Sequence, residues 1–196
     1  MLHLENVVPL PEILGSGFML RPFRRGDQVS LQLSLNDPRV YERLTNIPRP
    51  YTLADAEGWL AISAKEVGPT THRINFAIII DGEVAGSVAF INVNMQQGNA
   101  QLSAWIAHRF WGQGLATRAL RLLLQFGFET LGLHRVSAFH VSDNLKSEGM
   151  LTKLGFTLEG VHREEWKKLV GDTYQRFDSL HYALLCHEWQ IRKELP

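Results

Sequence analysis

A chain of 196 residues, 45% hydrophobic and 20% charged, is long enough for one compact domain and too apolar for wholesale disorder. Its single cysteine, Cys186, excludes an internal disulfide and a cysteine-based zinc framework, and twenty Lys and Arg balanced by twenty Asp and Glu argue against a broad nucleic-acid footprint. The longest apolar runs, such as that around Phe76 to Ile80, are too short to cross a bilayer, and Met1-Leu2-His3-Leu4-Glu5 lacks the basic and apolar regions of a signal peptide. A soluble cytoplasmic protein with no membrane or nucleic-acid partner is therefore expected.

In chain order, a short strand is expected from Phe18 to Phe23, after which Asp27 is placed to cap a helix running through Leu31, Leu33 and Leu35. The proline-rich run Asn46-Ile47-Pro48-Arg49-Pro50 interrupts the pattern. Thr52 then opens a second helix, with Asp55 as a weaker capping-box partner and Trp59, Leu60 and Ile62 among its apolar positions. Ile74 to Ile80 and Val84 to Val93 read as strands, and the Asp81-Gly82 between them is a strong hairpin signal. A turn at Gln96-Gln97-Gly98-Asn99 leads into a third strand, Ala100 to Ala107.

The period then changes. Leu115, Ala119, Leu120, Leu122, Leu123 and Phe126 recur on one broad face of a helix from Leu115 to about Leu131, with Gly132 at its C-terminal cap. Val136 to Val141 reads as a buried strand, Ser147 to Leu154 as a short helix closed by Gly155, and Phe156 to about Lys168 as a strand. Val170-Gly171-Asp172-Thr173 turns into a last strand that includes Phe177, Leu180, Tyr182 and Leu184. The fold class predicted is α/β (α+β), a single domain whose mixed, mostly antiparallel sheet is flanked by helices. Its parallel step crosses over through the long helix.

Charge is uneven along the chain. From Val84 through Phe128 there is no Asp or Glu, where average acid content would place roughly four or five, and the same stretch holds Arg109, Arg118 and Arg121. Inside it, between a strand and the long helix, stands Arg109-Phe110-Trp111-Gly112-Gln113-Gly114-Leu115-Ala116. Gly112, Gly114 and Ala116 let a ligand approach the backbone, and the first-turn amides of the helix are unpaired donors at the positive end of its dipole. That combination suits phosphate, with Arg109 and Arg118 able to add charge-assisted contacts. It is not a P-loop, because no Lys-Ser/Thr follows. Nor is it the dinucleotide fingerprint, since the spacing stops at GxG and an acid about twenty residues on would fall at Glu129, inside the helix. A bare GxG is also a tight turn, and it is the position of this one that points to an anion.

These residues resemble the acetyl-CoA pyrophosphate loop of the GNAT superfamily of N-acetyltransferases, in the pattern Arg109-x-x-Gly112-x-Gly114-x-Ala116. Leu20-Arg21-Pro22-Phe23 with Asp27, Asn144-x-x-Ser147 leading to Lys153-Leu154-Gly155-Phe156, Glu159-Gly160, and the late run from Gly171 through Asp178 to Glu188-Trp189 are similar to the branch that includes the RimJ and RimL ribosomal-protein N-terminal acetyltransferases. The likeness runs from about residue 18 to 189 and implies one acetyltransferase domain with splayed strands around an acetyl-CoA cleft.

The resemblance further implies that the backbone of Trp105, Ile106 and Ala107 holds the pantetheine arm. Amides from Arg109 through Trp111, Gly112, Gln113, Gly114 and Leu115 to Ala116 would hold the pyrophosphate. Asn144 matches a residue that bonds the pantetheine or lies beside the thioester, and Ser147 one that stabilises the departing thiolate. Leu151 occupies the place where many members carry a tyrosine acid, so Ser147 is the stronger catalytic candidate. Arg118 stands where many relatives place Glu, and Asp178 matches an acidic position of the branch or satisfies local amides.

Glu165, or its neighbour Glu164, is a candidate for relaying the acceptor's proton, only one of the two facing the cleft if the strand alternates. Both are alternatively solvated charges near Lys167 and Lys168. The eight histidines, His134 and His140 among them, form no metal-ligand pattern, and no metal is expected. The tryptophans Trp59, Trp105, Trp111, Trp166 and Trp189 read as core or cleft wall, with Trp111 wedging the loop against the sheet. The implied reaction is direct acetyl transfer from acetyl-CoA through a tetrahedral intermediate to an amine, chiefly a protein N-terminal α-amine. A small amine such as a polyamine, an amino acid or an aminoglycoside is the alternative acceptor, an inactive acyl-CoA sensor the alternative class, and a homodimer is compatible with either.

Overall fold

Phe76, Ile78, Val88 and Phe90 are fully buried where two long strands meet, and the rest of the fold is arranged on the two faces of the sheet they begin. The computed structural model describes residues 8–44, 47–63, 66–68 and 70–194; the segment Met1 to Glu5 and the Asn46 of the proline-rich run lie outside the described residues. Two short strands, β1 (Val8–Pro9) and β4 (Glu66–Val67), pair on their own. The main sheet contains β2 (Ile13–Gly15), β3 (Phe18–Arg21), β5 (Arg73–Ile80), β6 (Glu83–Asn94), β7 (Asn99–Ile106), β8 (Arg135–Val141), β9 (Thr157–Val170) and β10 (Thr173–Leu185). Its spatial order is β2-β3-β5-β6-β7-β8-β10-β9. Every pairing is antiparallel except β7 with β8, the parallel step the sequence predicts.

The β5–β6 hairpin forms at Asp81-Gly82 because both residues take positive φ, 50° and 82°, as a two-residue turn that follows the twist of its strands requires. Helix α4 (Leu115–Gln125) lies on one face. Its Leu115, Ala119, Leu120, Leu123 and Leu124 are buried, while Arg118 and Arg121 point to solvent. Each of the four leucines contributes about 1.5–3 kcal/mol by leaving water. The predicted continuation to Leu131 is different in kind: α4 passes at Gln125 into a single π turn, Phe126–Thr130, closed by Leu131 N–H on the Phe126 carbonyl. Gly127 lies so close to the Phe90 ring that a Cβ there would sit 2.5 Å from it, so three consecutive residues, Phe126 to Phe128, are buried. Helix α5 (Leu145–Leu154) shares this face through Leu151 and Leu154, and α6 (Cys186–Glu194) adds Trp189.

The opposite face carries α1 (Gln28–Leu35), α2 (Pro38–Tyr41) and α3 (Leu53–Ile62) over Ala77, Ile79 and Val84, with Trp59, Trp105 and Trp111 against them. Thr52 and Asp55 make the reciprocal capping box, Thr52 Oγ1 accepting from Asp55 N–H at 3.2 Å and Asp55 Oδ2 from Thr52 N–H at 2.8 Å. Leu33 and Ile62 depart from expectation and are exposed. Leu31 and Leu35 already define the buried side of α1, and Leu33 falls half a turn away; Ile62 is similarly off the side set by Ala56, Trp59 and Leu60.

Asp27 is a second departure. It precedes α1 but caps nothing with its side chain, because both carboxylate oxygens face Arg21 in a bidentate pair, 2.8 Å on each arm. Arg21 is 1% exposed and Asp27 5%, so this ion pair is inside the protein and ties the start of α1 to β3. Among the described residues no helix is long and apolar enough to cross a membrane.

Candidate functional site

Strands β7 and β8 pair at only three steps, Asn99↔Arg135, Ala100↔Val136 and Gln101↔Ser137. Beyond them β7 runs on to Ile106 and β8 to Val141 as separate walls, each then entering a loop and a helix. A parallel pair that stops part-way exposes backbone donors and acceptors along both edges. Ala107 N–H donates to the Ala85 carbonyl at 2.8 Å, which fixes the alternation on β7. Trp105 and Ala107 thus direct their backbone groups at β6, and of the three residues implicated on this strand Ile106 presents its groups to the opening. The Ile106 carbonyl accepts from Trp111 Nε1 at 2.7 Å, the wedge expected of that tryptophan.

The loop between β7 and α4 turns on two glycines in the left-handed region, Gly112 at φ 77° and Gly114 at φ 68°. A Cβ at either would meet nothing within 4 Å, so the space in front of both is open. Gly114 is the N-cap of α4, with no side-chain cap and no acid in the first turn. The Gly114 carbonyl receives Arg118 N–H, so the amides of residues 114–117 have no acceptor within the helix. Leu115 is buried beneath the loop and Ala116 half-buried, while Gln113 is exposed and donates to the Arg109 carbonyl at 3.1 Å. The two arginines are directed elsewhere: Arg109 pairs with Glu83 on the β5–β6 hairpin, and Arg118 donates to the Ser16 carbonyl at 2.6 Å. Contact with an anion at this loop therefore falls to backbone amides.

Across the opening, Asn144 is the N-cap of α5 and its Oδ1 accepts from Ser147 N–H at 3.3 Å. The next residue but one, Lys146, holds its ammonium 5.8 Å from the centre of the Trp111 ring, which brings the start of α5 face to face with the glycine loop. Ser147 is half-buried there. Leu151 is 2% exposed and packed into the core. A tyrosine does approach this side of the sheet, from β10: Tyr182 hydroxyl lies 3.3 Å from His140 Nε2, and burial raises its phenol above the usual range. His140 is thereby a buried structural histidine, its Nδ1 2.9 Å from the Val141 carbonyl.

Glu164 and Glu165 do not simply alternate. Between Trp166↔Phe177 and His162↔Ser179, three residues of β9 face one of β10, and Glu164 takes φ 53° at this bulge. Glu164 N–H donates to Asp178 Oδ1 at 2.8 Å, so Asp178 does satisfy a local amide. Glu165 turns toward three donors, the Ser179 hydroxyl, His162 Nδ1 at 3.2 Å and His181 Nε2 at 3.2 Å. The Ser179 hydroxyl first, then the two imidazoles, hold its carboxyl at about 2, well below the usual 4.5. A lowered carboxyl stabilises the fold above its unfolded value and loses that contribution as pH falls. The difference in melting temperature between the wild-type protein and Glu165→Gln is accordingly expected to shrink between about pH 4.5 and pH 2. Lys167 lies over Tyr174, and Lys168 pairs with Asp143 at 2.7 Å, so neither lysine is the partner of these glutamates. His162, Ser179 and His181 are not among the candidates the sequence offers; the i, i+2 spacing of Ser179 and His181 on one strand is the one sign of them that it carries.

A family model for the acetyltransferase (GNAT) domain matches residues 18–157. A protein of Bacillus subtilis (strain 168), provisionally named ribosomal N-acetyltransferase YdaF, is 31% identical over 122 residues, 62% of this chain and 64% of that relative. Spermidine N(1)-acetyltransferase of Escherichia coli (strain K12) is 35% identical over 121 residues, 62% of this chain and 63% of the relative. The matched stretch thus covers less than two thirds of the length of either. The crystal structure of a provisionally assigned acetyltransferase from T. thermophilus shares the fold at a TM-score of 0.74 and 28% identity, over 94% of both chains. The family match takes in well over half of this chain, which belongs to the GNAT acetyltransferases.

Proposed function

We propose that this protein transfers the acetyl group of acetyl-CoA to a primary amine, and that the amine is the α-amine at the N-terminus of a peptide or protein. The observation that carries the reading is the glycine loop at the uncapped N-terminus of α4, set at the open end of the parted strands β7 and β8. The residues present fit the donor, since the loop leaves open space before Gly112 and Gly114 and a row of amides without helical acceptors. Acetyl-CoA supplies an activated acetyl thioester. Amides from Gly112 to Ala116 bind its pyrophosphate, whereas those of Phe110 and Trp111, also expected there, are already donated to the Ala107 and His108 carbonyls at 2.9 and 3.0 Å. The edge at Ile106 takes the pantetheine arm once Trp111 releases that carbonyl. Asn144 orients the arm from the facing loop, and the Ser147 hydroxyl supports the departing sulfur.

An α-amine has a pKa of about 7.7–8.0 and is partly neutral at pH 7, so it needs only modest help to become a nucleophile. Polyamines carry several positive charges and call for free carboxylates, whereas Asp143, in the loop that enters α5, already holds Lys168. The 35% identity to the spermidine enzyme favours the second reading, a polyamine acceptor.

Release of free CoA thiol, measured against N-terminal peptides, polyamines, amino acids and an aminoglycoside with an acceptor-free control, separates the two. Release with peptides alone is expected; release with spermidine alone overturns the peptide assignment. Ser147→Ala is expected to lower kcat about tenfold or more while leaving the acetyl-CoA KM within about threefold, and an unchanged kcat removes Ser147 from the mechanism.

A further inference from the structure

On the sheet face that carries α1 to α3, the cluster around Glu165 fixes more than a carboxylate. Ser179 is fully buried and its hydroxyl donates to Glu165 Oε2. His181 Nε2 lies 2.8 Å from Ser179 Oγ and 3.2 Å from the same Oε2. With the hydroxyl hydrogen directed at the carboxylate, both neighbours of Nε2 are acceptors. Nε2 therefore carries the proton, and the lone pair of the neutral ring sits on Nδ1. His162 is held in the same way, its Nδ1 donating to Oε1.

The position of the His181 ring relative to the opening follows from the strand register. Phe139 is the second residue past Ser137, the last β8 residue paired with β7, and His181 is its direct partner on β10. The two rings stack at 5.5 Å and 18°, and His162 stacks on His181 at 3.8 Å. From the opening outward the order is thus Phe139, His181, His162. The ligand-type atoms of His162, Glu165 and His181 lie within 4.8 Å of one another. Both ring protons are nevertheless aimed at the one carboxylate and the rings are stacked, which is the arrangement of a proton acceptor and its anchor rather than of ligands around an ion.

We propose that His181 is the catalytic base of this protein, Nδ1 receiving the proton that the acceptor amine sheds, with Glu165 and Ser179 as positioning residues that fix its tautomer. The proposal rests on the acetyl-transfer reading above. The amine lone pair forms the N–C bond, the thioester C–S bond breaks with its electron pair on sulfur, and the amine proton passes to Nδ1 and then to solvent. Glu165 itself is a poor candidate, because three donors already take up most of the acceptor sites of its carboxylate. A neutral imidazole anchored through one nitrogen leaves the other free to accept a proton. The titratable groups facing the His181 ring are Glu165 and His162 from β9, and β8 contributes Phe139.

Nitrogen-15 histidine spectra of the protein without donor are expected to show His181 in the Nε2–H form, shifting toward a tautomer mixture in Ser179→Ala; an Nδ1–H ring in the wild-type protein overturns the proposal. In turnover, His181→Gln is expected to lower kcat about 10- to 100-fold and remove the acidic limb of its pH profile. Its acetyl-CoA KM and its melting-temperature rise with acetyl-CoA should stay as in the wild type. His162→Gln should keep kcat within about threefold. An active wild type beside an unimpaired His181→Gln, or a zinc-induced rise in melting temperature that depends on His181, overturns the assignment of the base alone. A wild-type protein silent with every amine defeats the acetyl-transfer reading first, and the base with it.

Discussion

Gly114→Val is expected to abolish the rise in melting temperature that acetyl-CoA gives the wild-type protein, with donor binding weakened at least about 30-fold, or about 2 kcal/mol. Gly114 sits at φ 68°, and the space where its Cβ would project is empty. A valine there fills the approach that phosphate needs to reach the α4 amides, and it strains the backbone by about 1–3 kcal/mol. Strain alone makes a different prediction, which a control separates. Gly171, in the β9–β10 turn, has a similar φ of 62° and equally open surroundings. Gly171→Val should cost comparable stability and keep the acetyl-CoA response in full. A Gly114→Val protein that still answers to acetyl-CoA would remove the loop from donor binding.

Asp27→Asn is expected to be the most destabilising single change considered, about 3–5 kcal/mol. At roughly 2–4 °C per kcal/mol for a chain of this size, the melting temperature should fall by about 6–20 °C. The cause is the asymmetry of buried ion pairs: Asp27 accepts two guanidinium bonds from Arg21 and a third from Arg24 N–H at 2.9 Å. Arg21 has little other protein company, its Nη1 reaching the Pro22 carbonyl at 3.0 Å and its Nε having no partner among the described residues. Once Asp27 is neutral, a charge 1% exposed is left without its counterion. Replacing both members, Arg21→Met with Asp27→Leu, should recover most of the loss, since an apolar pair of similar volume avoids the desolvation cost of either ion. Thermal melts of the two proteins decide it; equal destabilisation would mean that the pair does more than neutralise itself.

The Leu20-Arg21-Pro22-Phe23 run with Asp27 shows how far a sequence feature can be read before tertiary structure assigns its role. Reading by residue type placed Asp27 as a cap, because an aspartate before a helix commonly accepts first-turn amides. Asp27 instead faces Arg21, which the pairing of β3 with β5 holds inside the protein. The Thr52–Asp55 box was legible because both partners lie within one turn of the same helix. The same holds for Asp81-Gly82, whose turn is fixed by two adjacent backbone conformations.

What the sequence determined by itself is what short-range chemistry controls: the hairpin at Asp81-Gly82, the apolar face of α4, the Gly155 end of α5, and the glycine loop before α4. Each depends on residues a few positions apart, where periodicity, capping and positive φ leave a direct mark. Only the tertiary structure decided that β7 and β8 part after three pairs, that the two loop arginines turn away, and that Glu165 meets Ser179 and His181 from fourteen and sixteen residues off. That meeting depends on a bulge setting three residues of β9 against one of β10, which breaks the two-residue alternation on which any sequence reading of a strand relies. Register between distant strands is set by the packing of both sheet faces together, and no local run of residues carries it.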